Sequence, residues 1–232
     1  GLTASIFVSP KIIQDQTNFW YFESGDYDKE KLRNCVAEIL EIDHTKLKDF
    51  YPRSIMKNLT LEQNWKIIDL YRKKYNQPLK KGQYINTEQL LELENSGVFH
   101  IGAHTMNHPI LANENDEISE YEIKASIDEL GKLLNRKITT FAYPNGKEGI
   151  DFGEREMNFL KEIGIEYAFS FEFRNLKKSD NLLSIPRFGL YHGNKDFVRK
   201  KLKYGAIWEP IKSKLFSNEE KYRKNIVKKL NL

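Results

Sequence analysis

Two histidines four positions apart, His104 and His108, stand in the segment HIGAHTMNHP (residues 100–109). On a helix, residues i and i+4 share a face, so this spacing can direct two imidazoles to one metal ion. By itself the spacing also occurs for ordinary core or surface histidines. The pair follows a strand-like run, VFHIGAH, and parallel α/β folds bind ligands at the carboxyl ends of strands. Pro109 fixes the turn, and a third ligand, usually a carboxylate, is needed for catalytic zinc.

Alternating strand-like and helix-like segments surround this pair. Short apolar and β-branched runs predict a buried strand at residues 2–10 and further strands at 98–104, 137–144, 165–171 and 182–192. Helical spacing of apolar residues predicts helices at 28–75, 86–97, 116–135 and 154–164. The helix at 116–135 is predicted to be amphipathic, and its apolar residues on or near one stripe are Ile118, Tyr121, Ile123, Ile127, Leu130 and Leu134. The alternation predicts an α/β fold with a largely parallel sheet, and residues 20–85 are interpreted as a helical insertion over one face.

Three segments resemble the polysaccharide deacetylase family, carbohydrate esterase family 4. GAHTMNHPIL (102–111) is similar to its His-Ser/Thr-x-x-His-Pro motif, and TFAYPNG (140–146) to the third motif of a subgroup. LTASIFV (2–8) is similar to its second strand, and the motifs occur in the family's order and separation. The resemblance runs from residue 2 to about 190, interrupted by the insertion. It implies a distorted (β/α) barrel with fewer than eight strands.

The resemblance also implies a site. A divalent metal, commonly zinc, is expected on His104, His108 and one Asp, and the reaction is hydrolysis of an N-acetyl group on a sugar. The backbone N–H of Asn145 is expected to stabilise the oxyanion. His192, in Leu190-Tyr191-His192, has the form of the family's general acid, although an ordinary surface histidine would look the same. Many relatives have an Arg where this chain has Ala142. Arg187 is a candidate to supply that charge, a surface ion pair being the alternative.

The family's first motif has no counterpart in the 232 residues. It contains two adjacent Asp residues, one the base and one a metal ligand, and this sequence has no Asp-Asp pair. We expect that strand to lie upstream of Gly1, so the first strand of the barrel is missing here. Alternatively, the protein never had the motif. These 232 residues by themselves supply two metal ligands and no catalytic base. With them alone, we expect weak metal binding and little catalysis. A barrel without its first strand would also expose an unpaired backbone edge.

Aromatic side chains have two interpretations each. The insertion region is rich in them, with Phe19, Trp20, Tyr21, Phe22, Tyr27, Phe50, Tyr51, Trp65, Tyr71 and Tyr75. These residues could form a lid that binds carbohydrate or the core of a small helical unit. Tyr143 could likewise line a sugar pocket or belong to the core. The sequence leaves both alternatives open.

Composition limits the classes of protein. The single cysteine, Cys35, excludes an internal disulfide and a Cys-rich zinc site. The sequence has no run of about 18 apolar residues, so no transmembrane helix is predicted. The chain carries a net charge of +4, but the last 38 residues have twelve Lys and Arg against four Asp and Glu. The remaining body is therefore acidic, which argues against binding nucleic acid.

We predict a barrel domain at 1–195, including the insertion, and a basic helical extension at 196–232. The extension is amphipathic from Ile211 onward, which fits docking on the barrel or peripheral contact with an anionic membrane or a partner chain.

The predicted function is a metal-dependent deacetylase of an N-acetylated sugar or polysaccharide. Two alternatives are a catalytically inactive protein of the same fold that binds carbohydrate or a partner, and a hydrolase of another small amide such as a formyl sugar. Zinc is the expected metal and an N-acetylated carbohydrate the expected partner. We expect the protein in the cytoplasm or at the cell envelope of a bacterium. The sequence does not predict its oligomeric state.

Overall fold

The computed structural model describes residues 1–172, 174–187, 189–190, 194–215 and 219–232. Its centre is a parallel sheet of four strands, β1 (Ala4–Val8), β2 (Phe99–Ala103), β3 (Thr140–Ala142) and β4 (Tyr167–Phe169), in that order. Ile6 pairs with Ile101, Ala103 with Phe141, and Phe141 with Ala168. The predicted α/β fold with a parallel sheet and flanking helices is confirmed. The carboxyl ends of all four strands meet at one edge of the sheet, where the site lies.

The strand predicted at 182–192 is wrong in its extent. In the described part of this stretch, only a single parallel bridge joins Ile185 to Phe169 of β4. Pro186 comes next and has no N–H to donate, so it cannot extend the ladder. The strand at 2–10 is predicted to be buried, yet Ala4 and Ser5 of β1 are exposed. β1 lies at the edge of the sheet that the described residues form, where one side lacks a neighbour.

One face of the sheet packs on helices. Side chains of β2, β3 and β4 meet those of α8 (Asp116–Leu134) and α9 (Glu154–Glu162) in a core that includes Ile101, Phe141, Ala168, Ile123, Leu130 and Leu160. Helix α1 (Pro10–Asp15) directly follows β1, and helix α7 (Thr87–Asn95) directly precedes β2. A 3-10 turn covers Leu111–Asn113. The packing of α8 and α9 on the sheet holds β2 and β3 in place, and so fixes the positions at which these two strands end.

The stripe predicted on α8 is partly wrong. Ile123 and Leu130 are buried, but Ile118 and Tyr121 are largely exposed. Three polar residues, Ser119, Glu122 and Ser126, are buried instead. They hydrogen-bond to Glu156, to the loop after β2 and to a backbone carbonyl respectively, so their burial is compensated.

The insertion between β1 and β2 is helical, as predicted. It contains α2 (Trp20–Glu23), α3 (Lys29–Leu40), α4 (His44–Leu47), α5 (Pro52–Met56) and α6 (Leu61–Tyr75). These helices enclose their own core, with Trp20, Tyr27, Phe50, Ile67 and Tyr71 buried. The interpretation as the core of a small helical unit therefore holds for four of the aromatic residues, Trp20, Tyr27, Phe50 and Tyr71. Thr60 and Gln63 form a capping box that begins α6.

Two basic helices end the chain, α10 (Lys195–Leu215) and α11 (Glu219–Leu230). Ile226 and Leu230 of α11 pack into the core of the insertion, so this helix docks on the insertion. α10 carries exposed apolar side chains, including Phe197, Tyr204, Ile207, Trp208 and Ile211. Among the described helices, none is long and apolar enough to cross a membrane.

Candidate metal centre

The two-histidine segment is a loop, and the helix assumed for the HxxxH spacing is wrong. β2 ends at Ala103, and Thr105 and His108 both have positive φ, 62° and 59°. The residue before a proline is disfavoured in the right-handed helical region, which applies to His108 ahead of Pro109. Thr105 Oγ1 holds the turn, since it donates to the His104 carbonyl and accepts from the His108 N–H at 3.1 Å.

This loop nevertheless brings the two imidazoles together. Their ring centroids lie 4.8 Å apart, with the planes at 76°. Two imidazoles bound to one zinc at about 2.0–2.1 Å place their centres roughly 5 Å apart, so the separation suits a shared metal. Both side chains are half-buried, which leaves the pair open on one side.

A hydrogen bond fixes the tautomer of His104. Its Nδ1 lies 2.6 Å from the carbonyl oxygen of Ala142, the last residue of β3. A carbonyl only accepts, so Nδ1 carries the proton and Nε2 keeps its lone pair for a metal. The same contact joins the end of β2 to the end of β3. The two sequence motifs therefore meet physically in one site.

Burial keeps both imidazoles neutral at pH 7. Desolvation lowers the pKa of His104 to about 4, and the positive charge of Arg187 acts in the same direction. Desolvation and the neighbouring His104 lower the pKa of His108 to about 3. Neutral imidazole is the form that binds metals.

Glu122 of α8 supports the loop and was missed by the sequence reasoning. Its carboxylate accepts from the Asn107 N–H at 2.9 Å and from Asn107 Nδ2 at 2.7 Å, and its carbonyl accepts from Met106 N–H. It is almost fully buried, and desolvation raises the pKa of this carboxyl. The available signal was a glutamate beside Ile123 in the predicted stripe. A buried charge at that position needs a fixed partner.

Asn145 lies in the turn after β3, as the similarity to the third motif predicts. It has φ of 55°, and Gly146 after it also has positive φ. The Asn145 N–H finds no acceptor within the described part of the chain. Tyr143, two residues earlier, is fully buried, stacks on Phe152 at 3.5 Å between ring centroids and donates its hydroxyl to Leu183 O. The core interpretation of Tyr143 is therefore the one that holds.

Arg187 extends across the same end of the sheet. Its guanidinium lies 5.5 Å from the ring centroid of Phe7, and its Nε donates to Ser170 O at 3.0 Å. Desolvation lowers the pKa of Arg187. No carboxylate of the described residues pairs with it, so the surface ion pair is not its arrangement there. His192 lies outside the described residues.

The metal fit is partial. The two imidazoles suit a divalent metal in protonation and spacing, and His104 suits it in tautomer as well. Within the described ranges, however, no group of three His, Cys, Asp or Glu side chains is placed to hold an ion. His104 and His108 therefore make up two of the ligands that such a centre needs.

Comparisons with known proteins agree with the motifs. The family model described as polysaccharide deacetylase matches residues 54–168, a range that contains both histidines and Asn145. No protein of curated function matches the chain significantly.

Solved structures of deacetylases are also similar to the chain. A polysaccharide deacetylase from Bacillus cereus is 23% identical, with a TM-score of 0.39, over 44% of this chain and 31% of that one. The deacetylase PplD from Streptococcus pyogenes is 15% identical, with a TM-score of 0.41, over 80% and 90%. A de-N-acetylase from Aggregatibacter actinomycetemcomitans is 14% identical, with a TM-score of 0.42, over 86% and 98%.

The chain spans about a third of the length of the first structures that it matches, at 31% each. The family match contains the His104–His108 loop and the turn at Asn145, the same residues that meet at the ends of β2 and β3. By its motifs and this match over residues 54–168, the chain is similar to the polysaccharide deacetylase family.

Proposed function

We propose that this protein is a metal-dependent deacetylase that removes N-acetyl groups from a sugar or polysaccharide. The observation that carries the proposal is the pair His104 and His108, held 4.8 Å apart beside the turn that contains Asn145. Zinc is the metal we propose, because neutral imidazoles are among its common ligands. When bound, it supplies a Lewis acid for the acetyl carbonyl and an activated water.

The chain's own residues would share the remaining work. His104 presents Nε2 because Ala142 O holds its Nδ1 proton. The Asn145 N–H would donate to the carbonyl oxygen as negative charge develops there. His192 would protonate the leaving amine nitrogen, which makes it the proposed general acid.

Arg187 would orient the carboxylate that accepts the proton of water. Its guanidinium is desolvated without a carboxylate partner in the described residues, and its charge acts on His104. A buried unpaired cation favours an anionic neighbour. The third metal ligand and this base are the two carboxylates that the proposal requires in addition to the described residues.

The test is acetate release from N-acetylglucosamine oligomers by the full-length gene product with added Zn²⁺. We expect His108→Ala to abolish measurable release and bound zinc. His44→Asn is a matched control, because His44 lies on α4 in the insertion. Acetate release that is unchanged in His108→Ala would refute the proposal.

The same assay separates the alternatives. Formyl and acetyl sugars offered side by side distinguish a deacetylase from a hydrolase of another small amide. The alternative of an inactive protein that binds carbohydrate is motivated by the absence of a third ligand in the described residues. It predicts that oligomers bind without acetate release at any zinc concentration.

The setting is also a proposal. We place the protein at the bacterial cell envelope, with the cytoplasm as the alternative, since polysaccharides with N-acetyl groups are envelope material. α10, with its exposed Phe197, Tyr204 and Trp208 and its lysines, would contact an anionic membrane surface peripherally. Sedimentation with phosphatidylglycerol vesicles tests this contact. Equal sedimentation with phosphatidylcholine vesicles would argue against it.

A further inference from the structure

Three aromatic side chains line one side of the histidine pair. Phe19 ends the loop before α2, and its ring centroid lies 4.3 Å from the imidazole of His108. Tyr84 lies 5.2 Å and Phe22 6.2 Å from the Phe19 ring. We call Phe19, Phe22 and Tyr84 the aromatic rim. It extends from the candidate metal centre to the surface of the insertion.

The aromatic rim does not belong to the core of the insertion. That core contains Trp20 and Tyr27, whereas Phe22 is 61% exposed and Phe19 and Tyr84 are half-buried. A single exposed phenylalanine needs no explanation. Three neighbouring aromatic rings that lead to a pair of neutral imidazoles form a surface able to bind a ligand.

The aromatic rim is held by contacts between two distant segments, 16–24 and 80–84. Gly82 N–H donates to Gln16 O at 3.0 Å, and a Cβ on Gly82 would lie only 2.5 Å from that oxygen. A backbone hydrogen bond from Phe19 reaches the Tyr84 hydroxyl, and it opposes the desolvation that raises the pKa of Tyr84. Only glycine at position 82 allows the backbones of residues 82 and 16 to come this close.

Buried polar groups secure the same junction. The carboxylate of Glu23 accepts from Lys80 N–H at 3.3 Å and from Asn18 Nδ2 at 3.4 Å. Lys80 Nζ in turn donates to Glu23 O at 2.6 Å. Glu23 is fully buried, so these bonds are needed to compensate its burial. The rings are therefore positioned before a ligand arrives, which lowers the entropic cost of binding.

We propose that the aromatic rim is a sugar subsite that stacks on a pyranose ring of the substrate. The proposal rests on the proposed function for its ligand class. The C–H face of a pyranose is apolar and carries slight positive charge, which suits the negative face of an aromatic ring. The aromatic rim begins at Phe19, whose ring contacts His108. When one sugar of an oligosaccharide stacks on the rim, the next sugar of that oligosaccharide would therefore lie at the histidines. The subsite therefore favours oligomers over single sugars.

Binding without catalysis is the direct test. The full-length protein in EDTA is titrated with N-acetylglucosamine tetramer and with the monomer, followed by calorimetry or NMR. Stacking is worth roughly 0.5–1.5 kcal/mol, so Phe22→Ala should weaken tetramer binding about 2- to 12-fold. The effect on the monomer should be smaller. Phe22→Trp, which keeps an aromatic face, should restore tetramer binding.

Tyr121→Ala is the matched control, because Tyr121 on α8 is 59% exposed against 61% for Phe22. Both truncations remove a surface ring, so thermal unfolding should be unaffected in each. Equal tetramer affinity in Phe22→Ala and Tyr121→Ala would overturn the subsite. Tyr84→Phe provides a second variant, since it removes the hydroxyl that meets the Phe19 backbone and keeps the ring.

The outcomes keep the two proposals apart. Tetramer binding that depends on Phe22, without acetate release from any zinc-loaded sample, supports the aromatic rim and refutes the deacetylase. Acetate release from the tetramer with kcat/KM unchanged in Phe22→Ala supports the deacetylase and refutes the aromatic rim.

Discussion

At the scale of single residues, the candidate site depends on side chains that fix other side chains. Ala142 O sets the tautomer of His104, Thr105 Oγ1 sets the turn to His108, and Ser9 Oγ donates to the His104 carbonyl at 2.8 Å. None of these atoms would touch a metal. They determine whether two imidazoles present lone pairs to one point.

Glu122 gives the sharpest prediction at this scale. Glu122→Ala removes both acceptors of Asn107, so the loop between the histidines loses its anchor. We expect zinc affinity of the full-length protein to fall about 10- to 100-fold, the usual cost of losing a supporting partner. Glu122→Gln keeps one acceptor and should recover part of the affinity. A competitive zinc titration with a chromogenic chelator measures the change.

Glu120→Ala is the control for Glu122, since Glu120 lies on the exposed side of the same helix. Zinc affinity that is the same in Glu120→Ala and Glu122→Ala would show that the loop does not depend on this carboxylate.

At the scale of elements, β2 meets its neighbours very closely. An added Cβ on Gly102 would meet the Phe7 ring at 2.7 Å and, closer still, Thr140 Oγ1. Phe7, Gly102 and Thr140 lie in one row across β1, β2 and β3. Glycine at position 102 therefore leaves room for the Phe7 ring to pack on β2, two residues before His104. The Arg187 guanidinium lies over the same ring.

Gly102→Ala should destabilise the protein by about 1–3 kcal/mol, because the neighbouring side chains must shift. Urea unfolding measures the free energy of unfolding. Gly153→Ala, where an added Cβ meets nothing within 4 Å, should change it much less. A Gly102→Ala protein as stable as Gly153→Ala would contradict the close packing described for β2.

At the scale of the whole molecule, the insertion, the sheet and α11 form one packed unit. Arg223 of α11 pairs with Asp151 after β3, and both side chains are almost fully buried. The same guanidinium donates to Lys57 O at 2.6 Å and to Asn58 Oδ1 at 3.3 Å. One residue thus joins the C-terminal helix, the insertion and the loop that carries the third motif.

Asp151→Ala should cost about 3–5 kcal/mol of unfolding free energy, because it leaves a buried guanidinium without its partner. Lys224→Ala is the control on the same helix, where the exposed pair with Glu220 should contribute less than about 1 kcal/mol. Thermal and urea unfolding measure both variants. Equal losses in the two would show that the buried pair does not hold α11 in place.

The local features could be predicted from the sequence. Strand and helix order, the capping box at Thr60, and the motifs around His104 and Asn145 follow from residue types a few positions apart. These patterns also predicted the family whose model matches residues 54–168. The helical geometry assumed for HxxxH was wrong, because φ at Thr105 and His108 is positive in the folded loop.

The contacts between distant side chains could not be predicted from the sequence, because they depend on how the elements pack. Phe19 against His108, Glu122 against Asn107 and Arg187 over Phe7 join residues from different elements. The 3.6- and 2-residue periods say which face of an element is apolar, but not which element faces it or at what height. Sheet register and helix packing set those heights. For that reason the insertion's aromatics divided between a core and a rim beside the histidines, an outcome that composition alone could not specify.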